Sequence, residues 1–240
     1  MSIKVNRRAL KRLGSALEAR ISTVPKSQRK LRRFEVRARN GQDAYRSPAE
    51  LLVAAALANR TRWDRIVKPR LKRFRSRHRG VQSIAELRAL VDSMGDRSLY
   101  RRVLYFGSGE NPRNYRGPLL RGLARAFDEY GKKLRGQGGK LLTDYQILRA
   151  WAREPDPRLV LEEANGGKVL GLGPKLVDWL RMYGGDVPTV PADVYTVKGM
   201  KELGLGDAGK TAEFVARLFG ISPHALDLAF RAEAGDGRTR

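Results

Sequence analysis

Two side chains in this chain are of types that could do chemistry together. Lys175 and Asp193 stand 18 residues apart, within the stretch running from Gly166 to Met200. An amine that sheds its proton is a nucleophile, and a carboxylate stabilises a cation that develops beside it. A free lysine has a pKa of ~10.4, so only about one in a few thousand is neutral at pH 7. Burial against Leu172, Leu176 and Trp179 would lower that value, and a nearby Asp193 would raise it. A Gly-rich hairpin (Leu170-Gly171-Leu172-Gly173), then Pro174, precedes a short apolar helix, and an extended VPTVPAD segment leads into Asp193. One helix and one turn separate the two groups, so the chain can fold back and bring them together.

The hairpin has physical properties of its own. Gly171 and Gly173 permit positive φ and close approach of backbone to a ligand. Pro174 suits the first turn of a helix, where its missing N–H costs nothing. The N–H groups of such a hairpin and helix start form a small anion site, and a phosphate is the natural guest. The bland alternative is an ordinary helix joint with no ligand.

Taken together, Val169-Leu170-Gly171-Leu172-Gly173-Pro174-Lys175 and Val190-Pro191-Ala192-Asp193-Val194-Tyr195-Thr196 resemble the active-site region of the helix-hairpin-helix DNA glycosylase superfamily. That group contains endonuclease III and 8-oxoguanine glycosylase. Its hairpin reads roughly L-P-G-V-G-x-K and its acidic loop V-P-V-D-V-H-V. Leu170 stands here for the usual Pro, and Tyr195 where His is common; neither departure removes a group the chemistry needs. The resemblance covers roughly residues 47–231 and is sharp over 169–197. It implies an all-α fold of two helical lobes, with the hairpin and Asp193 facing the cleft between them. It also implies a bifunctional DNA glycosylase and abasic-site lyase of base excision repair. The target base leaves the stack, Asp193 stabilises the oxocarbenium-like sugar, and neutral Lys175 attacks C1′ to give a Schiff base. The strand is then cut by β-elimination. Gly171, Leu172, Gly173 and Pro174 would hold the DNA backbone. After the apolar run LLVAAALA, Asn59-Arg60-Thr61 is similar to the family's polar cluster that fills the gap left by the flipped base. Asn59 is the candidate for that role and Arg60 its neighbour; routine capping of a helix C-terminus is the alternative. Two other readings stay open: a glycosylase without lyase activity, in which Lys175 only contacts phosphate, and a non-catalytic module that holds nucleic-acid backbone. Double-stranded DNA with a damaged base or an abasic site is the expected partner, of a protein acting as a monomer.

Composition agrees with that partner. The net charge is +24. Residues 1–80 alone hold 24 Lys and Arg against 5 Asp and Glu, a surplus of 19. Such a balance points to a polyanion, most simply nucleic acid; a solvated basic surface or a membrane surface are the alternatives. The chain has no cysteine and two histidines, His78 and His224, which excludes Cys-ligated zinc and the iron–sulfur cluster that many endonuclease III relatives carry. No metal and no cofactor is expected. No apolar run approaches the ~20 residues that span a bilayer, and the N-terminus lacks a segment of signal-peptide length. A cytoplasmic, nucleoid-associated protein of prokaryotic type is the expectation.

The remaining elements must position the site. Residues 1–46 form a basic extension, with a helix over 1–20 and a polar loop or short helix over 25–46. Residues 47–165 form a helical lobe that carries the DNA-inserting segment. Residues 166–235 form the hairpin and Asp193 region, packed with the N-terminal helix, and 236–240 is a tail. Ser47-Pro48-Ala49-Glu50 reads as a helix start, opening a helix buried on all sides. An amphipathic basic helix is expected from Trp63 to Phe74, with Trp63, Ile66, Val67, Leu71 and Phe74 inward. Ser83 and Glu86 form a capping box opening a helix through Val91. A short helix is expected over 99–105, a Gly/Pro-rich loop over 107–118, and a helix from 119 to about 134 before a mobile RGQGGK tip. Thr143-Asp144 opens a helix that Pro155 and Pro157 break. GLGDAGKT at 204–211 matches the P-loop pattern letter for letter. A P-loop, however, needs a strand directly before it and a sheet to supply the magnesium-binding acid. A second hairpin-like turn is the reading preferred here, since Leu203-Gly204-Leu205-Gly206 echoes residues 170–173.

Overall fold

The computed structural model describes residues 45–58, 63–107, 115–138, 142–184, 194–202 and 204. Every regular element among them is helical, as expected for an all-α chain. The chain divides into two compact units, one of Gly41–Gly185 and one of Met1–Asn40 with Asp186–Arg240. The division therefore falls after the hairpin and its second helix.

In the first unit, α1 (Pro48–Ala58) begins as expected. The Ser47 hydroxyl accepts from the Glu50 N–H at 3.2 Å, and residues 48–57 are all buried. A run of Leu, Val and Ala on every face leaves such a helix no stable place except the core. A single wide turn, Trp63–Val67, leads into α2 (Lys68–Arg77). The expected helix is thus continuous but starts with a wider turn, and passes into α-helix where Pro69 cannot donate an N–H to the preceding turn. α2 buries Leu71 and Phe74 as its spacing demands. α3 (Ile84–Asp92) opens on the expected box: Glu86 accepts the N–H groups of Ser83 and Gln82, each at 2.8 Å. Those bonds, chiefly the one from Ser83, hold the Glu86 carboxyl below its usual pKa.

Two boundaries differ from expectation. α4 runs Asp96–Arg102 rather than 99–105. Gly95 starts it, and Tyr105 takes a left-handed φ of 56° that no helix can continue through. α5 spans Arg116–Gly138, starting three residues early and running into the segment expected to be a mobile tip. Pro118 is tolerated because it lies in the first turn. α5 is the central rod, packed by α1, α3, α4, α6 (Asp144–Ala152) and α7 (Pro157–Ala164).

Long-range polar contacts tie these helices together. Asp144, in the first turn of α6, accepts the Ile84 N–H at 2.6 Å and so serves the start of α3 as well. Trp151, fully buried, stands edge-on to Phe127 at 4.9 Å and donates its indole N–H to the Pro157 carbonyl at 2.6 Å. That bond sets the corner between α6 and α7. The buried Glu50 carboxylate, 2% exposed, takes both arms of Arg75, whose Nε lies 2.7 Å from Oε2.

In the second unit, α9 (Val194–Glu202) is described. Gly204 follows with φ 76° and donates its N–H to the Lys201 carbonyl at 3.0 Å, a left-handed helix stop. A helix rather than a strand thus precedes the P-loop lookalike. Residues 1–44 and 205–240, with their expected helices and tail, lie outside the described residues. Among the described residues no helix is long and apolar enough to cross a membrane.

Candidate functional site

The hairpin is the site the sequence points to, and its local geometry follows from its residues. α7 ends at Asn165 with a two-glycine stop. Gly166 (φ 74°) donates to the Glu163 carbonyl at 3.0 Å, and Gly167 (φ 147°) to that of Glu162 at 2.8 Å, the paired closure typical of glycine-ended helices. Val169 then enters the core. A four-residue turn follows, closed by the Leu172 N–H on the Val169 carbonyl at 3.1 Å. Gly171, third in that turn, has φ 84°. This is the position where a type II turn needs glycine, and Leu170 occupies the one where Pro is favoured. α8 (Pro174–Gly184) begins immediately afterwards, so two helices and a glycine hairpin stand in direct succession.

The core face of this unit holds the hairpin in place. Val169 docks on Gly122 of α5, where even a Cβ would come within 2.9 Å of its Cγ1. Leu172, 4% exposed, anchors the turn from within, and Leu176 and Trp179 continue the buried stripe of α8. Trp179 stacks obliquely with Tyr45 at 5.7 Å and Tyr183 at 4.7 Å. Arg181 donates to the last carbonyl of α6, that of Ala152, at 3.0 Å, which fixes the rotation of α8 about its axis.

That rotation decides what faces outward. Leu170, Gly171, Pro174 and Lys175 are exposed. Lys175 is thus exposed although Trp179 lies one turn on along the same side of α8, and the burial expected for its amine against Leu172, Leu176 and Trp179 is absent. The expected row of open N–H donors is also shorter. Leu172 and Gly173 spend theirs inside the hairpin, on the carbonyls of Val169 and Gly171, and Pro174 has none. Leu176 and Val177 bond back to the Gly173 carbonyl at 3.0 and 3.1 Å. What remains in the first turn of α8 is Lys175, which offers a backbone N–H and an ammonium group from one residue. A helix start of this kind, with a cation on it, attracts an oxyanion.

Asp178 was missed in the sequence reading. It lies one turn beyond Lys175 on the same face of α8, half-buried, with no hydrogen bond or ion pair among the described residues. Burial pushes its carboxyl pKa up, and Arg181 only partly offsets that. The signal available in the sequence was Lys-x-x-Asp spacing on a helix. Asp193, Asn59 and Arg60 lie outside the described residues. Among the described residues no group of three His, Asp or Glu could hold a metal ion. Compared with known protein families, curated proteins and solved structures, the chain matches none.

Proposed function

We propose that this protein is a bifunctional DNA glycosylase and abasic-site lyase with the two-lobed helix-hairpin-helix architecture. The observation that carries the reading is the placement of Lys175. It is exposed, without an ion-pair partner among the described residues, in the first turn of the helix that follows a glycine hairpin with φ 84° at Gly171. A DNA strand resting on that helix start would set a sugar near the amine. Asp193 then stabilises the sugar cation as the base departs; Lys175, its proton passed to the departing base or to Asp193, attacks C1′ with its lone pair, and a proton moves from its nitrogen to O4′ as the C1′–O4′ bond opens to give the Schiff base. Asn59, with Arg60 as its neighbour, takes the space of the extruded nucleotide. Desolvation comes from the bound DNA, since Lys175 is exposed in the protein alone. The surplus of 19 positive charges in residues 1–80 supplies the long-range attraction.

The exposure of Lys175 favours one second reading, a glycosylase without lyase activity in which Lys175 grips a phosphate. Borohydride trapping on a duplex with one abasic site separates the two. Wild type and Lys210→Ala, which removes the lysine of the P-loop lookalike at 204–211 as a control, should form a stable adduct, and Lys175→Ala should form none while still binding. An adduct formed by Lys175→Ala as fast as by wild type would end the assignment. No adduct from wild type, with base release intact, would establish the second reading. Asp193→Asn should keep binding and slow base release by orders of magnitude.

A further inference from the structure

We propose that the face carrying Arg73, Arg77 and Arg102 is a phosphate-backbone site for duplex DNA, built on elements other than the hairpin. The choice of DNA as the polyanion rests on the glycosylase reading; the site itself does not. Between Arg65 and Arg79 the sequence holds eight Lys or Arg and no Asp or Glu. The fold sorts these charges. Arg75 turns inward to the buried Glu50. Arg73 and Arg77, one turn apart, stay exposed, about 6 Å apart along the axis of α2. Neither guanidinium has an ion pair or hydrogen bond among the described residues. Arginines of α3 and α5 behave differently: Arg88 meets Asp128 at 2.6 Å and Arg121 meets Asp96 at 3.0 Å.

The face is also preformed. The Arg77 guanidinium lies 5.8 Å from the centre of the Tyr105 ring. Tyr105 is held there in a left-handed backbone, a strained conformation for a non-glycine residue that persists only where the surroundings enforce it. His78 stands 6.4 Å from the same ring and its Nε2 is 3.3 Å from the Arg102 carbonyl, which brings the basic end of α4 beside the end of α2. Guanidinium groups fork onto phosphate oxygens with two parallel bonds. A bilayer fits less well. The exposed positions of α2 are Lys68, Pro69, Lys72, Arg73, Ser76 and Arg77, and none of them is a large apolar side chain that would enter lipid.

The test uses the full-length protein and an undamaged duplex, with binding followed by fluorescence anisotropy across a salt series. Each phosphate contact contributes about 0.9 to the slope of log affinity on log salt. Arg73→Gln/Arg77→Gln should therefore lower the slope by about 1.8 and weaken binding at low salt by roughly tenfold or more. Arg73→Lys/Arg77→Lys, which keeps the charge, should retain the slope. Arg125→Gln/Lys133→Gln, which removes two exposed charges from α5, should change the slope by far less. An unchanged slope in the first variant, or an equal loss in the α5 variant, would overturn the site. Equal or tighter binding to phosphatidylglycerol vesicles, lost with the same two arginines, would overturn it in favour of a lipid surface. Undamaged DNA offers no base to excise, so a lowered slope in a protein that never traps on abasic DNA would uphold this site while ending the glycosylase reading.

Discussion

Val169 sits directly on Gly122: a Cβ at position 122 would lie 2.9 Å from the Val169 Cγ1. The first residue of the hairpin turn is thereby held by the absence of a side chain on the central helix. Val has little rotamer freedom with which to yield, so Gly122→Ala must push the turn outward. The substitution should cost about 1–3 kcal/mol of stability, the usual range for overpacking, despite alanine's better helix propensity. Urea denaturation checks this, and duplex binding should weaken alongside it.

Glu50 and Arg75 form the other contact on which this unit depends. The carboxylate is 2% exposed and Arg75 is its partner. Arg75→Ala should cost about 3 kcal/mol or more, because it strands a buried charge. Glu50→Gln added to Arg75→Met should recover much of that loss. Chemical denaturation of the single and double variants measures both.

Acid should unfold the protein through the α3–α5 contact. Burial raises the Asp128 pKa, but hydrogen bonds from Lys132 and Arg88 outweigh it, and the net position is below the usual value. The Arg88 and Lys132 bonds likewise hold Glu129 low. A carboxyl whose folded pKa is depressed stabilises fully above its unfolded pKa, near ~4. That contribution is lost as pH falls through the lower folded value. Arg88→Gln should move the acid-unfolding midpoint upward, read by circular dichroism between pH 2 and 6 (roughly the carboxylate range).

Asp178 has the opposite sign. Its folded pKa is raised by burial, so its charge costs stability once pH exceeds the unfolded value of about 4. Asp178→Asn should raise stability at neutral pH by a few tenths of a kcal/mol, the scale of half-exposed substitutions. The gain should vanish as pH falls toward about 4. Melting curves at the two pH values decide it, and an equal gain at both would show that charge is not the cause.

Much of this architecture is written in short-range chemistry. Ser47-Pro48, the Ser83–Glu86 box, the Thr143–Gln146 box and Pro174 each start a helix where the residues place it, because a cap needs only neighbours three residues away. The all-apolar run after Glu50 determines by itself that α1 is buried. The glycine hairpin between two helices is equally local: Gly166, Gly167 and Gly171 all take positive φ. Tertiary structure decided the rest, since each remaining feature joins residues far apart in the chain. The expected end of α4 failed because Tyr105, beside Arg77 and His78, adopts a left-handed backbone conformation. Glu50 looked like a first-turn acid and became the partner of Arg75, 25 residues on. Lys175 was expected against Leu172, Leu176 and Trp179, yet with the aromatic cluster around Tyr45 and the bond from Arg181 to Ala152 in place those three are buried while the lysine, one turn before Trp179, stays exposed. Hydrophobic spacing specifies that a helix has a buried side; which charged residue then lies opposite depends on the neighbours that side is packed against.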